Sequence, residues 1–443
     1  MKAEEYLNQI PMWTREKNSL EDVRKYLEYL GHPDRSIPVI HVAGTNGKGS
    51  VCAYLTKALV NAGYRVGTFI SPHLVEIRER FLINGRMAEE EAFERSFQKV
   101  KAAADALTAA GLKHPTFFEF LFDMAAVLFA EQKVDFWVME TGMGGRLDTT
   151  NVVERPLVSV ITSISLDHTQ YLGDTIPKIA AEKAGIIKEG IPVVYDGNDV
   201  EAAEVIRRYA KQKNALGVPV TREDFRLTRG IGGKLRMILR EEWEEFTLPF
   251  AAPYQADNGA LAWKALRVLI GLGVIPREKI GLLHAGMEQA VWPGRMEEAY
   301  PGVFLDGAHN PGGIRAFLEA AQEIISQRNP DGKGRIFLLF AAVADKDYPD
   351  MIHILGSLKP DRTAVVHMQS ERGLSLERLS GCFQEENGCR TERFETTGQA
   401  LDSLLKEKKP EDMVFCVGSL YLIGEIKTEI EGRRQDADTL WKA

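Results

Sequence analysis

Lys48 stands near the end of a glycine-rich stretch, Gly44-Thr45-Asn46-Gly47-Lys48-Gly49-Ser50, that directly follows an apolar run containing Val39, Ile40 and Val42. Glycines at such a turn free backbone N–H groups to converge on an anion, and a helix starting there adds the positive end of its dipole. The next segment, VCAYLTKALVNAG, has the composition of that helix. Lys48 would supply a mobile cation for terminal phosphates, with the Ser50 hydroxyl two residues on. The loop departs from G-x-x-x-x-G-K-[ST], because Val42 occupies the first glycine position and Gly49 follows the lysine. A glycine-rich strand-to-helix turn can serve packing alone, but the lysine and the hydroxyl favour a nucleoside triphosphate.

Three further polar groups follow apolar runs in the same way. Ser71 ends the run 64–70, Glu140 ends 134–139, and Asp167-His168 come just after 157–164. In open parallel sheets, ligands sit beyond the carboxyl ends of the strands, so these residues are expected at one edge with Lys48. Glu140 suits a Mg²⁺ that bridges nucleotide phosphates, with Ser71 as a neutral second ligand. His168 could be a metal ligand, a proton carrier or a hydrogen-bond donor. Lys183 lies in a helical pattern at 176–184, and spacing alone makes it a solvent-facing residue. The stretch 142–151, GMGGRLDTTN, reads as a flexible connection or as a wall or lid beside the phosphate site.

The elements that must position these groups alternate between strand and helix. Helical patterns fall within a lead-in over 1–36 (a helix at 19–30 in particular), near 89–110, 116–132 and 255–270, and strand patterns include 191–195. This alternation predicts an α/β fold with a P-loop, mostly parallel sheet and a small antiparallel addition between about 217 and 250. Gly294-Arg295 and the Tyr300-Pro301-Gly302 turn mark a boundary. A second alternation follows, with strands at 303–305, 335–340, 363–367 and 412–417 and a helix at 311–327. It predicts a smaller C-terminal Rossmann-like domain, giving domains 1–296 and 300–443 with a hinge near 296–300. The 443-residue length agrees with two domains.

Composition excludes several classes. A net charge of −8 with no Lys/Arg-rich run argues against nucleic acid or a membrane surface as partner. The acidic N-terminus does not resemble a secretory signal, and no apolar run approaches a bilayer span. The four cysteines, Cys52, Cys382, Cys389 and Cys416, lack metal-binding spacing and read as buried free thiols of a cytoplasmic protein, with no zinc.

Taken in order, HVAGTNGKGS (41–50), SPHL (71–74), ETGMGGRLDTTN (140–151), LDHTQYLGDTIPKIAAEKAGIIK (166–188), WPGRME (292–297), LDGAHNP (305–311), DKD (345–347) and GSLYLIGE (418–425) resemble the folylpolyglutamate synthase family. That family includes bifunctional dihydrofolate synthases and belongs to the Mur-ligase superfamily. The resemblance runs nearly end to end. It implies ATP-dependent ligation of L-glutamate to a folate carboxylate. It implies Ser71 and Glu140 as ligands of a first Mg²⁺, His168 as ligand of a second, and Lys183 as a lysine carbamylated by CO₂ into an anionic metal ligand. By the same resemblance Asn258 matches an adenine contact, although Tyr254 stands where the family more often has His. Arg295 and Asp306 match residues holding the nucleotide from the far side. His309 and Ser419 match positions near phosphate and incoming glutamate, and Asp148 with Phe117 and Phe118 line the pterin pocket. A monomer is implied. A K⁺ requirement, the folate form and the use of dihydropteroate stay open.

The implied mechanism begins with attack of the folate carboxylate on the γ-phosphate. The glutamate amine then displaces phosphate from the acyl phosphate, with Lys48 and two Mg²⁺ bearing the phosphoryl charge. Three other readings compete. A cell-wall amino-acid ligase shares the loop and metal residues but usually carries a further domain before it, where only about 40 residues stand here. A P-loop kinase would turn over ATP without glutamate, and a nucleotide switch would show no substrate-stimulated phosphate release.

Overall fold

The computed structural model describes residues 2–11, 18–230, 234–240, 244–368 and 372–440, with 433–440 as backbone only. Residues 1 and 12–17 of the expected lead-in, and 441–443 of the expected second domain, lie outside them.

The first sheet has eight strands: β1 (Val39–Ala43), β2 (Val66–Phe69), β3 (Phe81–Ile83), β4 (Arg86–Met87), β5 (Phe136–Glu140), β6 (Val158–Ile161), β7 (Val193–Asp196) and β8 (Gly217–Val220). Their order is β4-β3-β2-β5-β1-β6-β7-β8. All pairs from β2 to β8 are parallel, while β3 and β4 add an antiparallel hairpin at one end. The central strands are fully buried because helices cover both faces, which is why they read as continuous apolar runs. One face carries the helices Lys48–Asn61 and Tyr254–Gly271, whose Val51, Leu55, Leu261 and Trp263 sit in its core. The other face carries Glu90–Ala109 and Phe117–Glu131, with Phe122 and Phe129 packed on Trp137.

A separate three-stranded antiparallel sheet joins β9 (Phe225–Arg229), β10 (Leu235–Leu239) and β11 (Glu245–Thr247). The antiparallel addition expected from about 217 therefore begins later. Residues 217–220 instead continue the main sheet, pairing β8 parallel to β7. Pro219 fits there because an edge strand leaves one side unpaired.

The third sheet contains β12 (Arg295–Tyr300), β13 (Val303–Asp306), β14 (Ile336–Phe340), β15 (Arg362–Val366), β16 (Glu392–Phe394) and β17 (Met413–Val417), in the order β12-β13-β17-β14-β15-β16. All its pairs are parallel except the β12–β13 hairpin. The helix Pro311–Arg328 packs Ile314 and Phe317 on one face, and Ile423 and Ile426 of the helix Leu420–Leu440 pack on the other. Residues 296–300, expected as a hinge, are bonded into this sheet, so the chain crosses between the sheets before Arg295. Cys52, Cys382 and Cys416 are buried thiols, whereas Cys389 is half-buried. Among the described residues, no helix is long and apolar enough to cross a membrane.

Candidate active site

Parallel register sets the site. Val42 of β1 lies opposite Glu140 of β5 and Val160 of β6, so these strands end level with one another. The loop 44–47 leaves β1 and the helix Lys48–Asn61 begins at once. Gly47, its N-cap, has φ +90°, and a Cβ there would meet Asn258 Oδ1 at 2.2 Å. Gly44 is tighter still, since its Cβ would fall 1.8 Å from Thr162 Oγ1. Glycine is therefore required at both positions, and the loop is pinned from behind by Thr162 Oγ1 donating to Asn46 O at 2.6 Å.

Lys48 Nζ donates to Thr45 O at 3.2 Å and lies 3.9 Å from Glu140 Oε1. Glu140 is 3% exposed. Its Oε2 accepts Ser71 N at 3.1 Å, whereas Oε1 and the Ser71 hydroxyl make no hydrogen bond among the described residues. Burial raises the Glu140 carboxyl above its ordinary value, and Lys48 opposes that rise.

Lys183 is buried, contrary to the expectation from spacing. Its helix packs against the 142–151 loop, where a Cβ on Gly145 would strike Glu182 O at 2.7 Å. That close approach turns Lys183 inward, and its Nζ donates to Gly44 O at 2.7 Å. Burial, then the nearby Lys48 cation, lowers its ammonium to about 7.

The 142–151 segment is a fixed wall. Asp148 is buried and its carboxylate accepts Met143 N at 2.8 Å, Thr150 N at 3.1 Å and Thr150 Oγ1 at 2.6 Å. His41 Nε2 lies 2.8 Å from that same Thr150 hydroxyl. Since the hydroxyl donates to Asp148, the His41 Nε2–H donates to it, and burial holds His41 neutral with a value near 3.

The loops and helix start of the third sheet close the rim. Asn310 and Asn46 exchange amide hydrogen bonds at 3.1 and 3.0 Å, and Asn310 also donates to Asp167 Oδ2 at 3.0 Å. Lys346 Nζ donates to Asp167 Oδ1 at 2.6 Å and lies 3.4 Å from His168 Nε2. Burial alone would raise Asp167, but the Lys346 cation holds it well below the usual carboxylate range. Burial brings His168 down to about 4 and His309 to about 3, leaving both rings neutral. His309 Nδ1–H donates to Gly307 O at 2.8 Å.

These groups line one cavity of about 300 Å³. Of the residues expected at the site, Gly44, Thr45, Asn46, Gly47, Lys48, Gly49, Ser71, Phe117, Phe118, Glu140, Asp148, His168, Lys183, Arg295, His309 and Ser419 face it. Ser50, Asn258 and Asp306 do not. Ser50 Oγ accepts Gln255 Nε2 at 3.2 Å, and Asn258 donates to Gln255 Oε1 at 3.2 Å. Asp306 accepts Tyr254 OH at 2.6 Å, Met296 N at 3.0 Å and Ala308 N at 2.9 Å. Its carboxylate thus joins the two sheets. Lys346 and Arg80 line the cavity without having been singled out; DKD had been noted only as a motif, and nothing in the spacing around Arg80 marks it. Chemically, the cavity joins a phosphate-binding loop and an uncommitted buried carboxylate oxygen to an aromatic wall at Phe117 and Phe118.

Comparison with known proteins adds to this geometry. Residues 42–263 match the Mur ligase middle domain and residues 294–420 match the Mur ligase glutamate ligase domain. The chain is 34% identical over 427 residues to the dihydrofolate synthase/folylpolyglutamate synthase of Bacillus subtilis, covering 94% of this chain and 95% of that one. It superposes on the Mycobacterium tuberculosis folylpolyglutamate synthase complexed with ADP and AMPPCP with a TM-score of 0.85 at 29% identity, covering 96% and 97% of the two chains. The Yersinia pestis bifunctional folylpolyglutamate synthase/dihydrofolate synthase complexed with AMPPNP and Mn gives a TM-score of 0.81 at 27% identity over 97% and 98%.

Proposed function

Because the chain belongs to the Mur ligase family and, within it, to the dihydrofolate synthase/folylpolyglutamate synthase group, we propose how its own residues carry out that group's reaction. The protein is an ATP-dependent ligase that joins L-glutamate to a folate carboxylate. The observation that carries the residue assignment is the meeting of Lys48, Ser71, Glu140 and Lys183 at one rim, next to an aromatic wall.

ATP lies with its phosphates on residues 44–50, under the amides at the start of the helix Lys48–Asn61 and the Lys48 ammonium. Asn258, Arg295 and Asp306 act on the nucleotide from around it. Asn258 does so by backing Gly47, and Asp306 by fixing Tyr254 and the backbone beside Arg295. The pteridine sits against Phe117 and Phe118, with Asp148 stiffening the facing loop. The acceptor carboxylate then attacks the γ-phosphorus, ADP leaves as the acyl phosphate forms, and the glutamate amine displaces inorganic phosphate. His309 and Ser419 stand on the glutamate side.

The residues fit a divalent cation. Glu140 Oε1, ion-paired with Lys48, and the Ser71 hydroxyl are oxygen donors with no hydrogen-bond partner among the described residues, and Mg²⁺ is usually held by one or two carboxylates plus substrate phosphates. Among the described residues, no group of three or more His, Cys, Asp or Glu side chains forms a cage, in keeping with an ion that arrives with the nucleotide. When bound, Mg²⁺ would neutralise the charge on the transferring phosphoryl group. A second Mg²⁺ would be held by His168 and by Lys183 as its carbamate. An uncharged amine attacks CO₂, and the lowered value of Lys183 supports that modification at neutral pH.

We take 1–296 and 300–443 as the two domains, with the strand Arg295–Tyr300 moving with the second. Their closure excludes water from the acyl phosphate. We also propose dihydropteroate as a second acceptor, since it has the same ring system for the Phe117–Phe118 wall and bears a single carboxylate. K⁺ acts as an activator, and the working unit is a cytoplasmic monomer.

The test is ATP-dependent incorporation of labelled L-glutamate with tetrahydrofolate, dihydropteroate or a cell-wall precursor as acceptor. Incorporation into the two pterins alone is expected. Incorporation into the cell-wall precursor, or ATP turnover without glutamate, would overturn the reading.

A further inference from the structure

Arg80 lines the cavity, and the scheme above leaves its chemistry unused. It ends a short turn, Ile77–Arg80, that its neighbours hold in place. The Glu79 carboxylate accepts the amides of Leu74, Val75 and Glu76 at 2.6, 2.9 and 3.1 Å. Arg80 itself is 5% exposed. Its Nε donates to His73 Nδ1 at 2.9 Å, and its guanidinium carbon lies 5.4 Å from the Phe117 ring centroid. The His73 ring is the acceptor, and burial followed by the Arg80 cation holds it neutral, near 4. The two terminal nitrogens of Arg80 donate to nothing among the described residues. Burial draws the guanidinium down to about 10, so it stays charged at neutral pH.

A buried, oriented guanidinium with its fork unspent is arranged for a planar anion, and a carboxylate is the group that accepts two parallel N–H donors. Three substrate carboxylates could meet it. The reacting one must stay free at the γ-phosphate, because a bidentate clamp would withdraw the lone pairs it needs for attack. The carboxylates of the incoming glutamate belong to the second domain, which brings its own cations, Lys346 and Arg372, to the same cavity. The third is the non-reacting α-carboxylate of a glutamylated acceptor. It lies between the aromatic ring system and the reacting γ-carboxylate, and Arg80 sits over the Phe117 ring while interacting with the Glu140 charge.

We infer that Arg80 binds the α-carboxylate of the acceptor's terminal glutamate and so favours glutamylated folates over acceptors that lack a second carboxylate. This rests on the folate-ligase reading and specifies the acceptor for that same cavity.

The test is a double-mutant cycle between protein and substrate. Wild type, Arg80→Gln and Arg80→Lys are assayed with tetrahydrofolate and with its α-carboxamide analogue. A charge-assisted bidentate contact predicts that wild type prefers tetrahydrofolate by about 10- to 100-fold in kcat/KM. Arg80→Gln should lose that preference, chiefly through acceptor KM, with KM for ATP and glutamate unchanged. Arg80→Lys, which keeps the charge but not the fork, should keep part of the preference and guards against a misfolded glutamine variant. A wild type indifferent to the amide, or an Arg80→Gln variant that keeps the preference or loses both acceptors equally, would overturn the assignment. A wild type that ligates glutamate to neither acceptor would instead overturn the functional reading.

Discussion

Replacing Lys183 with methionine separates the stability cost of this residue from its chemistry. An ordinary lysine keeps its proton to about 10.5, whereas folded Lys183 releases it near 7. Across that window the unfolded chain binds more protons than the folded one, so stability rises with pH. Each pH unit inside the window is worth about 1.4 kcal/mol, reduced near its ends where only one state is partly protonated. Folded Lys183 therefore costs about 4 kcal/mol at neutral pH and about 2 kcal/mol near pH 9. Methionine of similar length removes that cost and loses the hydrogen bond to Gly44 O, which subtracts about 1 kcal/mol independent of pH. Lys183→Met should thus be more stable than wild type by about 3 kcal/mol at neutral pH, with the advantage falling by about 2 kcal/mol toward pH 9. Denaturant unfolding of both proteins in CO₂-free buffer at several pH values measures this difference, in which all other titrating groups cancel. The variant should be inactive, and bicarbonate should stabilise wild type alone. Equal pH slopes for the two proteins would refute the argument, because they would mean that Lys183 is an ordinary charged lysine.

Glu140→Gln and Lys48→Ala should each lower glutamate incorporation at least about 100-fold while leaving the melting temperature within a few degrees, since both act on developing phosphoryl charge. Steady-state kinetics beside a thermal melt checks this. Gly44→Ala places a Cβ 1.8 Å from Thr162 Oγ1 and should destabilise the protein by about 2 kcal/mol or more, with Thr162→Ala in the same chain recovering part of the loss. Tyr254→Phe removes the 2.6 Å hydrogen bond to Asp306, a link between the two sheets. It should cost about 1–3 kcal/mol of stability and raise KM for ATP more than it lowers kcat, measurable by denaturation and initial rates.

Much of this arrangement was legible in the sequence, for a physical reason. Strands buried on both faces have no polar side, so the strands holding Val39, Ile40, Trp137 and Val160 read as mostly apolar runs, interrupted only by the buried His41 and Ser159. The first polar residue after each run marks the functional edge of the sheet. The helix Ile176–Ala184 was equally plain, with Pro177 in its first turn and Gly185 just past its end. Short pieces were less so. The strands Phe81–Ile83 and Arg86–Met87 are too brief for a periodic signal, although the Asn84-Gly85 pair between them is a hairpin signature that could have found them. Residues 217–220 carry a proline that obscured a parallel edge strand. The largest misjudgement, the exposure of Lys183, was out of reach of spacing. Which face of its helix is buried depends on contact with a loop some 35 residues away in sequence. Arg80 and Lys346 were hidden for the same reason, since each becomes part of the cavity only when the chain folds around it.

Activation of the acceptor carboxylate as an acyl phosphate takes place at the Lys48–Glu140 rim. Tetrahydrofolate carrying ¹⁸O in its γ-carboxylate, turned over with ATP and L-glutamate, tests this through the isotope content of the released phosphate. The account predicts one ¹⁸O transferred to inorganic phosphate for each amide formed. Unlabelled phosphate at full turnover would contradict it.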